Sequence, residues 1–177
     1  MAPDLRFPLG PLGQLPAAER VPATLERFAA RMEGAVSDWR ALASTLSADA
    51  LARPYRVGGW TVHQLVHHVA DAHLHGLIRL RGGLTQDEYP IQVFDQEASL
   101  TLPDSELPVA VPLALLEVVN RRWVTLLRSV EPEQFARHVV HPQEGRHDLW
   151  QLAHKHDWHL RHHLAQARGG SYSPAAY

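Results

Sequence analysis

The sequence contains no cysteine among its 177 residues. Disulfide bonds, thiolate nucleophiles and cysteine-based metal sites are therefore excluded, and any metal ion must be held by nitrogen and oxygen ligands. No apolar run approaches the roughly 18 residues of a transmembrane helix. The N-terminal MAPDLRFPLG also lacks the basic start and apolar stretch of a signal peptide. We therefore expect a cytoplasmic protein.

The chain also has no surplus of basic residues. It contains 17 Lys and Arg residues and 19 Asp and Glu residues, which gives a net charge of -2 with the histidines neutral. Such a chain has no electrostatic footprint for nucleic acid or for an anionic membrane surface, and we expect neither as a partner. The length favours one domain, and a hydrophobic content of 45% is enough for a core.

Apolar residues recur at helical spacing in four segments, which predicts helices over about residues 23–46, 61–80, 112–130 and 148–168. Thr61 and Gln64 fit a capping box at the start of the second helix, and Asp148 is suited to cap the last one. The stretch RGGLTQDEYP is expected to end the second helix. Residues 85–110 form a long irregular crossover of the kind that is often functional. No strong strand pattern is present.

These elements predict an all-α protein, a four-helix bundle with long crossover connections. Five prolines within residues 1–22 favour an extended N-terminal arm. The bundle is then expected to span residues 23–170, followed by a loosely held tail over residues 171–177.

Histidine is the residue in excess, with 13 copies scattered along the chain. The densest group lies in DWHLRHHL, on the last predicted helix. At about 100° per residue, His156, His159 and His163 fall on the buried face of that helix, whereas His162 points to the side or to solvent. His159 and His163 lie four residues apart, so their imidazoles stack one turn apart and can bind one metal ion.

The second predicted helix carries a similar group in VHHVADAH. His67 lies opposite the apolar stripe and is expected to be exposed, whereas His68 faces the interior obliquely and can supply a third ligand. Three imidazoles from two helices leave open coordination positions, as in catalytic metal sites. The alternative is that these histidines are hydrogen-bonded core residues, because HxxxH also arises by chance in a histidine-rich chain.

Several motifs resemble one known family over nearly the whole chain. They are DLRFPLG near the start, PYRVGGWTVHQLVHHVADAH, RRWVTLLRSV, HPQEG and WHLRHHLAQ. Together they are similar to the DinB-like superfamily, and specifically to its YfiT and bacillithiol-transferase branch. The resemblance implies a DinB-type four-helix bundle, usually a homodimer. It also implies one divalent ion per chain, Zn²⁺ or Ni²⁺, whose three histidine ligands match His68, His159 and His163.

The chain departs from the family pattern in a few places. Leu160 replaces a frequent Gly, His156 a frequent aromatic residue and Asn120 a frequent His, and IQVFDQEA is a looser version of a family segment. None of these positions is a proposed ligand, so the departures concern the choice of substrate.

The function that the resemblance implies is metal-dependent S-transfer. A low-molecular-weight thiol, bacillithiol in this branch, would be activated at the metal and attack an electrophile, with both small molecules as partners. Because the chain has no cysteine, the sulfur must come from a cosubstrate. One alternative is a metal-dependent hydrolase that activates water. Another is a non-enzymatic, stress-related bundle with a structural metal.

Residues near the proposed ligands are candidates for supporting roles. By its spacing Asp71 shares an edge of the second helix with His68 and His75, and it is the catalytic candidate. Asp95 and Glu97 lie in the long crossover, and we expect this segment to bring them to the mouth of the site.

Other polar and aromatic residues have less specific expectations. Asp157 is expected to be a solvated charge, and Trp60 and Trp158 are expected to be packing residues. Arg121 and Arg122 either recognise the carboxylates of an acidic thiol or form a solvated pair.

Overall fold

A computed structural model describes residues 4–169, and the expected tail over residues 171–177 lies outside this range. Within the described range the chain is largely helical. Its six helices are α1 (Pro22–Thr45), α2 (Ala48–Leu51), α3 (Val62–Thr85), α4 (Gln96–Ser99), α5 (Ala110–Ser129) and α6 (Leu149–Ala167). The four long helices form a bundle, which confirms the predicted fold class.

The order of the helices around the bundle determines which faces meet. Helix α1 packs mainly on α5 and α6, and α3 packs mainly on the same two helices, so α1 and α3 lie diagonally opposite each other. Trp39 of α1 and Trp123 of α5 are fully buried in the core. Their indole Nε1 groups donate hydrogen bonds to the carbonyl oxygens of Leu160 and His73, so neither buried donor is left unpaired.

Helix starts agree closely with the sequence. The Thr61 hydroxyl accepts a hydrogen bond from the Gln64 backbone N–H, and Gln64 Oε1 accepts one from the Thr61 N–H, which confirms the capping box. Asp148 caps α6 by accepting a hydrogen bond of 2.8 Å from the Gln151 N–H, as predicted.

The predicted end of the second helix was wrong, because α3 continues through its glycine pair to Thr85. These glycines allow close packing instead of ending the helix. A Cβ on Gly82 would lie 2.5 Å from the ring of Tyr89, and one on Gly83 would lie 2.5 Å from Leu149.

A small sheet departs from the expectation of an all-helical chain without strands. Strand β1 (Tyr89–Pro90) runs parallel to β2 (His138–His141), which pairs antiparallel with β3 (Gly145–Asp148). Strands of two to four residues are too short to show the alternation that identifies a strand in sequence. The hairpin of β2 and β3 leads directly into α6.

The N-terminal arm lies along α6. Leu15 is buried and its N–H donates a hydrogen bond to Gln151 Oε1, while Gln151 Nε2 donates to the Gly13 carbonyl. Further along α6, Gln166 Nε2 donates to the Arg6 carbonyl. The arm is extended apart from local turns and a short 3₁₀ helix at Ala17–Glu19. Within residues 4–169 no helix is long and apolar enough to cross a bilayer.

Gly76 of α3 packs against the ring of His156 of α6. A Cβ on Gly76 would lie 2.2 Å from Cε1 of the His156 ring, which is a steric overlap. The two helices therefore approach this closely only because residue 76 has no side chain.

We expect Gly76→Ala to destabilise the chain by about 1–3 kcal/mol, because the methyl group overpacks the contact with the His156 ring. His156→Ala should remove most of this penalty, so the double-mutant cycle should show a coupling of at least about 0.5 kcal/mol. Urea unfolding of the four proteins measures both quantities.

Gly34→Ala in α1 is the matched control, since nothing lies within 4 Å of its Cβ position. Alanine there should be neutral or stabilising by up to about 1 kcal/mol. The contact would be refuted if Gly76→Ala were as well tolerated as Gly34→Ala.

Candidate metal centre

Three imidazoles converge between α3 and α6. His68 Nε2 and His163 Nε2 each lie 3.1 Å from His159 Nε2, and the three atoms lie within 4.8 Å of one another. The structure thus brings together the three histidines that the sequence singled out. Their binding of a metal ion stays a prediction.

The spacing of these nitrogens fits a small divalent ion. Tetrahedral zinc with Zn–N bonds of about 2.0–2.1 Å holds its ligand nitrogens about 3.4 Å apart. The observed distances of 3.1 Å from His159 Nε2 are close to this value. Three ring nitrogens that face one another also cannot all find hydrogen-bond partners within the group, and a cation at their centre would satisfy all three lone pairs. Nickel accepts imidazole ligands equally well.

Gln166 orients one of the proposed ligands. Its Nε2 donates to the Arg6 carbonyl, so its Oε1 faces His163 and accepts a hydrogen bond of 2.7 Å from Nδ1–H. With the proton on Nδ1, the lone pair of His163 is on Nε2 and points at the cluster. Such second-shell contacts fix the tautomer of a metal-binding histidine.

Burial keeps these imidazoles neutral. It lowers the pKa of His68 to about 4 and the pKa of His159 and His163 well below the usual value, with a further decrease from their mutual repulsion. Neutral imidazole is the form that donates a lone pair to a metal. Three neutral ligands would leave the ion its full positive charge.

The cluster opens into a cavity of about 510 Å³, within the usual range for small-molecule sites. His68, Ala72, His75 and Arg79 line it from α3. Lys155, His156 and His159 line it from α6. The crossover contributes residues 93–97, and the β2–β3 hairpin contributes His141, Gln143 and Glu144. A substrate in this cavity would reach His68 and His159 directly, whereas His163 lines a smaller neighbouring pocket.

The supporting carboxylates are distributed differently from the prediction. Asp71 is half-buried and faces His67, His75 and Asp104 rather than the cavity wall, and burial raises its pKa. Asp95 and Glu97 do line the cavity. Glu97 also lines a smaller pocket with Trp60 and His163, and its Oε2 lies 3.3 Å from Trp60 Nε1, so it borders both openings near the cluster.

His67 was expected to be exposed, and His162 was expected to point to the side or to solvent, but both are buried. His67 is 7% exposed, because the crossover covers it and its Nε2 lies 2.9 Å from the Leu107 carbonyl. His162 is 4% exposed, between the Trp158 ring, Gln166 and Phe7 of the arm. Both predictions failed for the same reason. Irregular segments cover helix faces that helical spacing alone assigns to solvent.

Asp157 was also wrongly expected to be solvated. It is fully buried and forms a bidentate ion pair with Arg161, at 3.0 and 2.7 Å, with Arg31 of α1 at 3.7 Å. The residue joins α6 to α1 and takes no part in the cavity.

The arginines considered for substrate recognition lie elsewhere. Arg121 and Arg122 are exposed on α5 and line no part of the cavity, whereas Arg79 and Lys155 do. Trp60 packs its ring 4.6 Å from that of His68, and Trp158 stacks on His162, as expected of packing residues. Sequence reasoning missed Arg79 and Gln166, although Gln166 is only three residues from His163.

The family model of the DinB superfamily matches residues 17–167. A protein from Bacillus pumilus (strain SAFR-032) with the name "Putative metal-dependent hydrolase" is 36% identical over 163 residues, which cover 92% of each chain. A relative of the same name from Bacillus cereus (strain 03BB102) is 37% identical over 163 residues, again 92% of each chain. The chain therefore belongs to the DinB superfamily.

Solved structures give the branch within that family. YfiT from Bacillus subtilis, described as a probable metal-dependent hydrolase with an unusual four-helix bundle topology, has a TM-score of 0.83 at 30% identity. The match covers 94% of this chain and 95% of YfiT. The chain is thus a DinB-like protein of the YfiT branch, and the names of its relatives imply metal dependence. A mycothiol-dependent maleylpyruvate isomerase variant shares the fold at 17% identity and a TM-score of 0.63, over 84% of this chain and 61% of that one.

We expect Gln166→Leu to lower zinc affinity by about 10- to 100-fold, because His163 loses the acceptor that fixes its tautomer. Competition with a chromophoric chelator measures the affinity. His159→Ala, which removes the central ligand, should abolish binding in the same assay.

Gln151→Leu is the matched control. It also removes a buried α6 glutamine that holds the arm, but at the end of the helix far from the cluster. Equal zinc affinity in the two Gln→Leu variants would contradict the orienting role of Gln166.

Proposed function

We propose that the chain is a metal-dependent transferase that joins a low-molecular-weight thiol to an electrophile. The observation that carries this proposal is a three-histidine cluster that opens into a large cavity in a chain without cysteine. A bound zinc or nickel ion would supply Lewis acidity that lowers the pKa of a thiol in an open coordination position. Bacillithiol, which the family resemblance implies, is the proposed cosubstrate.

The chain's own residues would position the reaction. Gln166 holds His163, and the Trp60 ring covers His68 while its Nε1 donates to Glu97 Oε2 at 3.3 Å. We propose that Glu97 accepts the thiol proton and passes it to solvent. The sulfur then forms a bond to the electrophilic carbon, and the bond from that carbon to its leaving group breaks with both electrons.

Hydrolysis is the second candidate, and the names of the relatives favour it. The same cluster and the same carboxylate would serve a water molecule in place of the thiol. The two functions differ in one measurable respect, since only transfer consumes a thiol in a fixed ratio to the electrophile.

Two further expectations stand as proposals. A homodimer is supported by exposed apolar residues one and two turns apart on α5, namely Val111, Leu115 and Val118. Light scattering of the purified chain tests it. A cytoplasmic location remains an expectation from the sequence.

We expect the zinc-loaded chain to convert a thiol and iodoacetamide into one thioether per thiol consumed, faster than the uncatalysed reaction. Removal of the metal, or the His159→Ala substitution, should reduce the rate to the uncatalysed level. Mass spectrometry of the thioether and a thiol titration give the ratio.

His154→Ala is the control for histidine loss on α6, because His154 lies outside the cluster and packs beside Phe28. It should keep the activity. Metal-dependent cleavage of an ester or amide without any thiol, and no thioether in its presence, would replace the transferase with the hydrolase.

A further inference from the structure

The α3 wall of the cavity contains a guanidinium without a paired carboxylate among the described residues. Arg79 is partly buried, and its Nη2 donates a hydrogen bond of 3.2 Å to the Gln92 carbonyl. Its Nε is buried without an acceptor, and among the described residues no carboxylate oxygen lies within 4.0 Å of it. Burial lowers the pKa of Arg79, but a guanidinium stays charged in proteins. The hydrogen bond to the Gln92 carbonyl offsets only part of the cost of burying this charge.

The nearest carboxylate is committed to another cation. Glu144 accepts two hydrogen bonds from Lys155 Nζ, at 3.0 and 2.8 Å. Both residues line the cavity beside Arg79. The pair is internally neutral. Asp95 and Glu97 also line the cavity, but among the described residues neither forms an ion pair with Arg79, which is therefore a cation without a directly paired carboxylate.

Arg79 lies on the same wall as one of the proposed metal ligands. His68, Ala72, His75 and Arg79 follow one another at intervals of four, three and four residues, so they share a face of α3. Eleven residues correspond to about 16 Å along a helix axis. Arginine side chains lean back towards the start of the helix, which shortens the distance to the cluster to on the order of 10 Å.

We propose that Arg79 forms an anion-binding subsite that holds a carboxylate of a reactant whose reacting atom lies at the three-histidine cluster. A planar guanidinium with free N–H groups matches a carboxylate in a bidentate geometry. The separation selects an extended reactant rather than a small one. The carboxylate belongs either to the thiol or to the electrophile. This inference rests on the proposed function for the identity of the reactants only, because the binding of an anion does not require turnover.

Direct binding tests the subsite without turnover. The zinc-loaded full-length chain is titrated with succinate and with uncharged succinamide by calorimetry. Succinate should bind, succinamide should bind more weakly, and Arg79→Met should weaken succinate binding by about 10- to 100-fold, the range expected for a charge-assisted hydrogen bond. Arg79→Lys, which keeps the charge, should restore part of it. Carboxylate binding to the metal alone would be unchanged in Arg79→Met, and that result would overturn the proposal.

Matched pairs of reactants then identify which partner carries the carboxylate. The pairs have chains long enough to extend from the cluster to Arg79: 6-mercaptohexanoate is compared with 6-mercaptohexanol against a neutral electrophile, and 6-iodohexanoate with 6-iodohexanamide against a neutral thiol. Arg79→Met should raise KM for the charged member of one pair about tenfold or more, and should leave kcat and the neutral member unchanged. An equal change for both members of each pair, or no change in either pair, would overturn the subsite.

Arg81→Met is the control, since Arg81 is exposed two residues further along α3 and does not line the cavity. The failure of the two proposals is distinguishable. Succinate binding through Arg79 without any thioether formation would refute the transferase and keep the subsite. Thioether formation at a rate that does not depend on the charge at position 79 would refute the subsite and keep the transferase.

Discussion

The close approach of α3 and α6 is the constraint on which the site depends. The two helices meet where Gly76 leaves room for the ring of His156, and one turn further along α6 the imidazole of His159 meets that of His68. A larger residue at position 76 would separate the helices and the ligand nitrogens with them. The arm reinforces the arrangement from the other side of α6, because Gln166 contacts both the Arg6 carbonyl and His163. The geometry of the site therefore depends directly on the packing of the bundle.

Most of the fold follows from local information. Helical periodicity gave four helices within a few residues of their observed bounds, and side-chain caps such as Thr61 and Asp148 are local signals. The errors arose where distant residues decide the outcome. Gly82 and Gly83 lie within the helix with Tyr89 and Leu149 packed on them, and β1 forms only by pairing with β2 across about 50 residues. Neither effect is visible in a local window.

The candidate site shows the same division. The wheel placed His159 and His163 together and allowed His68 to face them, because helix geometry and one bundle interface determine those positions. Helical spacing placed His67 and Asp157 in solvent and His162 to the side or in solvent. It contains no information on the crossover, the arm or Arg31, which cover these residues. Arg79 was missed for a related reason, because its role depends on a cavity wall built from three separate segments. Helical spacing cannot predict the burial or role of a residue whose surroundings are formed by irregular segments.

The proposed function requires that a thiol bind directly to a metal ion held by His68, His159 and His163. X-ray absorption spectroscopy of the zinc-loaded chain, before and after addition of a thiol, tests it most directly. We expect three imidazole nitrogens at about 2.0–2.1 Å, and one added sulfur at about 2.3 Å in the presence of the thiol. Because the chain has no cysteine, a sulfur at that distance is attributable to the thiol. A shell of nitrogen and oxygen that stays unchanged at saturating thiol would contradict the account.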